Sequence, residues 1–190
     1  MLSNILISVR MLIVLTFLTG VLYPVFVTGV GTAIFPYQAK GSLVINNSKI
    51  VGSELIGQKF QANKYFWSRP SGSDYVANPS GSSNLGPTSE DLKKAMLDRK
   101  KDFTSKNYLP EDTKVPEDML FASGSGVDPH ISLDSALLQV KRIAKERAFD
   151  SIKSDKLIDL VKKFEEKPQV GVLGENRVNV VMLNLEIDKI

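Results

Sequence analysis

The sequence predicts an α+β fold: one N-terminal transmembrane helix, then a single extracytoplasmic domain with a small, mainly antiparallel sheet and about three helices. Three observations carry this reading. Residues 1–39 of the 190 hold a single charged side chain, Arg10, and contain the uncharged 25-residue run Met11–Phe35. Beyond it, apolar residues recur at helical spacing in three separate stretches. Around those stretches lie short β-prone runs bounded by Asn and Gly, the residues of tight turns.

As a helix the uncharged run spans about 37 Å, against about 30 Å of bilayer hydrocarbon. It is longer than the apolar part of a cleaved signal peptide, and the bulky Tyr37 makes a poor cleavage site behind it. A retained anchor is therefore expected. Arg10 ahead of the span favours a cytoplasmic head, which gives residues 1–10 inside, 11–35 across the membrane and 41–190 outside. Pro24 removes a backbone hydrogen bond and should bend the helix. Thr16 and Gly20 form a small-residue pair, and Gly29 and Gly31 a second thin patch, through which another helix can approach closely.

After the span, Ser42–Ile45 and Lys49–Val51 read as a hairpin turning at Asn46-Asn47. Phe60–Trp67, rich in aromatic residues, reads as a further strand. Trp67–Pro87 has 14 Gly, Pro, Ser or Asn among 21 residues and reads as a loop. Its interleaved Trp67, Arg69, Tyr75 and Leu85 mark it as an ordered one. A first helix starts with a Thr88…Asp91 capping box and buries Leu92, Ala95, Met96 and Phe103. A second runs from Ser132 to Phe149, burying Leu133, Ala136, Leu137, Val140 and Ala144, with Lys141, Arg142, Lys145 and Arg147 on its wet face. A third, capped by Ser154, turns Leu157, Ile158, Val161 and Phe164 inward. The chain closes on a second hairpin, Val170–Leu173 and Val178–Ile187 around a Gly174-Glu-Asn turn.

Composition removes several function classes. Cysteine is absent and histidine occurs once, which leaves no thiolate metal site, disulfide, thiol nucleophile or multi-histidine metal centre. The 151 residues after the span carry 23 basic and 21 acidic groups, too even a balance for a nucleic-acid footprint. Asp and Glu are scattered without calcium-loop spacing. No metal site and no firmly bound cofactor is expected.

Two stretches imitate catalytic motifs and fail in detail. In Gly52-Ser-Glu-Leu-Ile-Gly57-Gln58-Lys59, Gln58 stands where a phosphate-binding loop needs lysine, and neither Lys59 nor Phe60 after it supplies the magnesium-binding hydroxyl. A turn between two strands is the better reading. Ala122–Ser132 holds serines, Asp128 and His130, but Gly124-Ser125-Gly126 lacks the flanking residues of a nucleophile elbow. No catalytic residue is assigned. Two alternatives stay open on residues alone: an anchored hydrolase using Ser125, Asp128 and His130, or a secreted ligand-binding module. The loop Trp67–Pro87 and the segment Ala122–Ser132 suit a protein interface better, with Trp67, Arg69, Tyr75, Asp128 and His130 as its anchors. Thr16, Gly20 and Pro24 suit helix partners in the membrane.

Five stretches together resemble one family. They are Gly20-Val-Leu-Tyr-Pro24, Gly52–Phe60, Tyr65-Phe-Trp-Ser-Arg-Pro-Ser71 with Gly81-Ser-Ser-Asn-Leu-Gly-Pro87, Ala122–Ser132, and Leu173-Gly-Glu-Asn-Arg-Val-Asn-Val180. In this order they are similar to the C subunit of the Kdp potassium-transporting ATPase, a match covering nearly the whole chain. Leu133 replaces a common helix-starting proline and Asn176 a frequent turn proline; both loosen local rigidity. The resemblance implies an accessory subunit in a prokaryotic inner membrane. Its partners would be a channel-like potassium-binding subunit, a P-type ATPase subunit and a small single-span subunit. It also implies a catalytic-chaperone role, raising the ATP affinity of the ATPase subunit through a ternary complex. In that account ATP would be contacted by a glutamine that maps to Gln139. ATP is cytoplasmic and the expected topology puts Gln139 outside, so an indirect effect is the better expectation.

Overall fold

The computed structural model describes residues 2–190. It divides into two units, residues 1–53 and 54–190.

In the first unit the helix begins ahead of the uncharged run. Helix α1 (Leu2–Phe17) passes through one π-helical turn (Leu18–Leu22) into α2 (Tyr23–Ile34), a continuous 33-residue helix long and apolar enough to cross a membrane. The wide turn sits immediately ahead of Pro24, with Tyr23 N–H reaching back to the Leu18 carbonyl. A proline cannot donate to the ladder, and a π-turn gives its ring room without ending the helix. The hydroxyls of Ser8, Thr19 and Thr32 return to the carbonyl four residues back, which satisfies polar groups that lipid would leave stranded. Thr16 and Gly20 share one face: a Cβ on Gly20 would lie 3.9 Å from Thr16 Cγ2.

A short helical turn, α3 (Pro36–Ala39), leads to the hairpin β1 (Leu43–Asn46) and β2 (Lys49–Ser53). The strands pair Asn46 with Lys49 and Ile45 with Ile50, then bulge before Val44–Gly52 and Leu43–Ser53. The turn is Asn47-Ser48, one residue later than expected, with φ of +49° and +62°. Both turn residues in the left-handed region make the two-residue turn whose twist matches a hairpin.

The second unit holds four α-helices, a short 3-10 turn (Glu117–Met119) and a three-stranded antiparallel sheet. Helix α4 (Glu90–Lys106) is capped by Ser89, whose hydroxyl accepts from Leu92 N–H, so the cap lies one residue beyond Thr88. Strand β3 (His130–Ile131) feeds α5 (Leu133–Glu146), capped by Ser132. Helix α6 (Ser151–Lys163) is capped by Asp150 rather than Ser154, because Asp150 accepts from Lys153 N–H while Ser154 bonds back to the Asp150 carbonyl. The strands β4 (Glu165–Glu166) and β5 (Arg177–Asn179) complete the sheet in the order β3-β5-β4.

The C-terminal hairpin does not form. Only Arg177–Asn179 is extended, and Val180–Ile187 is helix α7. Asn179 accepts from Met182 N–H as its cap, and Val180, Leu183, Asn184 and Ile187 then fall at helical spacing into the core. Val170–Leu173 is an exposed turn rather than a strand. Phe60–Trp67 is not a strand either. The core gathers Phe66, Phe103, Ile131, Ile143, Leu157, Val161, Val178 and Leu183. Arg142, expected on the wet face of α5, is fully buried within this unit.

Candidate functional site

Phe66 and Trp67 have no strand beside them, yet their peptide groups are not stranded. Asn184 on α7 accepts from Phe66 N–H at 2.8 Å and donates to the Phe66 carbonyl at 2.9 Å. Gln139 on α5 does the same for Trp67, at 2.8 and 3.3 Å. Buried peptide groups must find partners, and two amide side chains replace the missing strands. This explains why an aromatic-rich run with strand composition stays outside the sheet.

Gln139 is 0% exposed, and its hydrogen-bonding capacity is full. Its Oε1 accepts from Trp67 N–H and from Arg142 Nη2, both at 2.8 Å. Its Nε2 donates to the carbonyls of Trp67 and Ser135. Two acceptor sites and two donors are all that a glutamine amide offers. Arg142 in turn bonds Asn107 Oδ1 and the carbonyls of Asn63 and Tyr65, and its guanidinium lies 3.7 Å from the Trp67 ring centre. A buried cation is tolerated only with such complete pairing.

Above this buried layer the two expected loops meet. Ser71 Oγ donates to the Gly126 carbonyl at 2.6 Å and accepts from Tyr75 N–H at 2.9 Å. Ser123 N–H reaches the Pro70 carbonyl at 3.1 Å, and Gly57 N–H reaches Val127 at 2.6 Å. Gly57 is therefore no turn between strands; it lets the backbone approach the Asp128 loop, where a Cβ would come within 2.6 Å of the Asp128 carbonyl oxygen. Tyr75 donates its hydroxyl to the Arg69 carbonyl. Burial pushes that hydroxyl's pKa up to about 12.

Arg69, Asp128 and His130 form a line. Arg69 Nη1 meets Asp128 Oδ2 at 3.1 Å, and Asp128 Oδ1 accepts from His130 N–H at 3.0 Å while lying 3.3 Å from the His130 Nδ1. Burial raises the Asp128 pKa, but the His130 hydrogen bonds and the Arg69 charge outweigh it, leaving the carboxyl below its ordinary value. The line continues to Glu166 Oε2, 4.0 Å from His130 Nε2, which Arg177 also holds at 2.9 Å. Ser125 stands apart. Its hydroxyl accepts from Val127 N–H, and among the described residues no hydrogen bond joins it to His130, so the residues of the hydrolase alternative do not assemble into a triad.

The structure thus brings Trp67, Arg69, Tyr75, Asp128, His130 and Gln139 into one region of the second unit. Trp67, Arg69 and Tyr75 line a cleft of about 630 Å³, and Arg69, Asp128 and His130 line another of about 480 Å³, with Arg69 on the wall between. Thr16, Gly20 and Pro24 belong to the first unit. Sequence reasoning missed Asp118, whose carboxylate accepts from Ser132 N–H at 2.6 Å and from the Ser135 hydroxyl at 2.7 Å to fix the start of α5. It also missed Arg142 and Asn184. Asn184 had a readable signal, a lone amide at a core position of an apolar run.

Comparison with known proteins bears directly on this arrangement. Residues 5–189 match the family model described as KdpC, K+-transporting ATPase, c chain. The potassium-transporting ATPase KdpC subunit of Leptospira interrogans is 49% identical over 182 residues, covering 96% of this chain and 92% of that protein. The KdpC subunits of Methylococcus capsulatus and Rhodopseudomonas palustris are 46% and 44% identical, each with about 95% of this chain covered and 95% and 94% of their own length. Matches of this extent leave no room for a partial or modular likeness: the chain belongs to the KdpC family of potassium-transporting ATPase subunits.

Proposed function

We propose that this chain is a single-pass accessory subunit of an ATP-driven potassium transporter. In this reading it is retained by its apolar helix, with the second unit on the extracytoplasmic side, and does no covalent chemistry of its own. Its role is to hold the complex together. The potassium-binding subunit, the P-type ATPase subunit and the small single-span subunit are its partners, with the clasped loops around Arg69 and Asp128 as the docking surface.

One observation supports this above the others: the amide to which the resemblance assigns nucleotide contact is fully engaged inside the chain. Gln139 has no donor or acceptor left for a nucleotide, and Asp128 holds His130 and Arg69. Any effect on the ATP affinity of the ATPase subunit is then indirect, carried by assembly. The complex is the place to test this. Arg69→Ala and Tyr75→Ala should lower recovery of the other subunits and potassium-stimulated ATPase activity together. An intact complex that no longer turns over would replace docking with a direct role. Sidedness is tested separately: Lys145→Cys in this cysteine-free chain should react with an impermeant thiol reagent in intact spheroplasts, and labelling only after lysis would reverse the topology.

A further inference from the structure

The hairpin of the first unit is a second, independent surface. A two-stranded sheet standing alone in water is marginal. This one nevertheless presents aliphatic residues outward: Ile45 and Ile50 face each other across the strands and are 67% and 65% exposed. Leu43, two residues from Ile45 and so on the same face, is also exposed. An apolar sheet face of this kind needs a cover.

What covers it is argued from position and charge. The span ends at Ile34, and Phe35 and Tyr37 follow as exposed aromatic residues of the type found at membrane–water interfaces. The base of the hairpin is tied to that level. Ser42 N–H donates to the Tyr37 carbonyl at 3.1 Å, Gly41 N–H to that of Gln38 at 2.9 Å, and Ser53 Oγ closes the far strand onto the Gly41 carbonyl at 2.7 Å. The strands are four and five residues long, so no part of them can stand more than about 20 Å from the Tyr37 turn. The charges point the same way. From Leu2 to Ser53 every charged side chain is a cation, Arg10, Lys40 and Lys49, and the first acidic residue is Glu54. Lys40 and Lys49 lie at the two ends of the hairpin, where long cationic side chains reach phosphate while aliphatic neighbours sit deeper.

We propose that this hairpin lies on the bilayer surface, with Leu43, Ile45 and Ile50 in the interfacial zone and Lys40 and Lys49 on the headgroups of anionic lipids. This rests on the reading of the apolar helix as a retained span. It makes the hairpin a float that fixes how deep the span sits.

The absence of cysteine makes the test clean. Ile45→Cys, Ile50→Cys and, as a wet reference on α6, Lys156→Cys are each labelled with an environment-sensitive fluorophore in the full chain. The chain is then reconstituted in phosphatidylcholine vesicles containing phosphatidylglycerol. Probes at 45 and 50 should be quenched by lipids carrying a shallow spin label at least twofold more than the probe at 156, and iodide should quench them at least twofold less. Lys40→Glu with Lys49→Glu, or vesicles of phosphatidylcholine alone, should reduce the lipid quenching. A chain retained in the vesicles through an alkaline carbonate wash, with probes as open to iodide as the one at 156, overturns the proposal alone. Loss of the chain at that wash overturns the anchored reading and the proposal with it. Probes shielded from both lipid and iodide only when the other subunits are co-expressed would make the cover a protein, which also overturns it.

Discussion

Gln139 and the peptide unit of Trp67 hold each other by two hydrogen bonds, as two paired strand residues would, although one partner is a side chain. Asn184 on α7 takes the N–H and C=O of Phe66, and Gln139 on α5 takes those of the next residue, Trp67.

Gln139→Leu keeps the volume and removes the clamp. It strands the Trp67 N–H and carbonyl and one Arg142 donor in the core, at about 1–3 kcal/mol for each buried group left unpaired. The thermal unfolding midpoint of the purified chain should fall by several degrees. A variant that unfolds like the parent would show that the clamp contributes nothing.

Acid should act through Asp128. Its folded pKa lies below the unfolded value, so its contribution is present at neutral pH and is lost as pH falls through the folded value. Asp128→Asn should be less stable than the parent at pH 7, and in denaturant titrations the two should converge as acid takes the solution below the ordinary carboxylate range. A constant gap across that range would remove the carboxylate from the account.

Alkali should act through Tyr75. The folded chain keeps this proton up to about pH 12, whereas an unfolded chain releases it near 10, so stability declines as pH rises through that interval. Tyrosinate absorbance should show a late step that Tyr75→Phe deletes. Tyr65 is also raised, by burial and by its bond to Asp188, so the variant is needed to assign the step. Survival of the full late step in Tyr75→Phe would place it on another residue.

Gly126 sits at φ +71°, and a Cβ there would lie 2.5 Å from the Gly81 carbonyl oxygen. Gly126→Ala should part the two loops, at on the order of 1–3 kcal/mol of backbone strain. Faster protease cleavage between residues 71 and 87, with α4–α7 still folded by circular dichroism, is the expected signature. Unchanged cleavage would mean the loops do not depend on the clasp.

Helical spacing made α4, α5 and α6 legible in the sequence, and an uncharged run revealed the long apolar helix. The errors share one cause. Arg142 looked wet because its charge belongs in water unless several acceptors converge on it, and most of those acceptors come from Asn63, Tyr65 and Asn107, distant in the chain, with Gln139 one turn away on α5. Val178–Ile187 alternates weakly enough to suit either a strand or a helix, and the Asn179 cap decides it. The gathering of Arg69, Asp128 and His130 is likewise a tertiary fact. The sequence offers the residue types but not the crossing of two loops.

The amide clamp also sets an order of events. The Trp67 peptide group waits for Gln139, 72 residues later, and the Phe66 group waits for Asn184, 118 residues later. During synthesis the peptide groups of Phe66 and Trp67 therefore lack these partners until α5 and α7 have been made. The most aromatic part of the domain, Tyr65-Phe66-Trp67, stays open for most of translation, and the last helix to be built closes the first segment of its core.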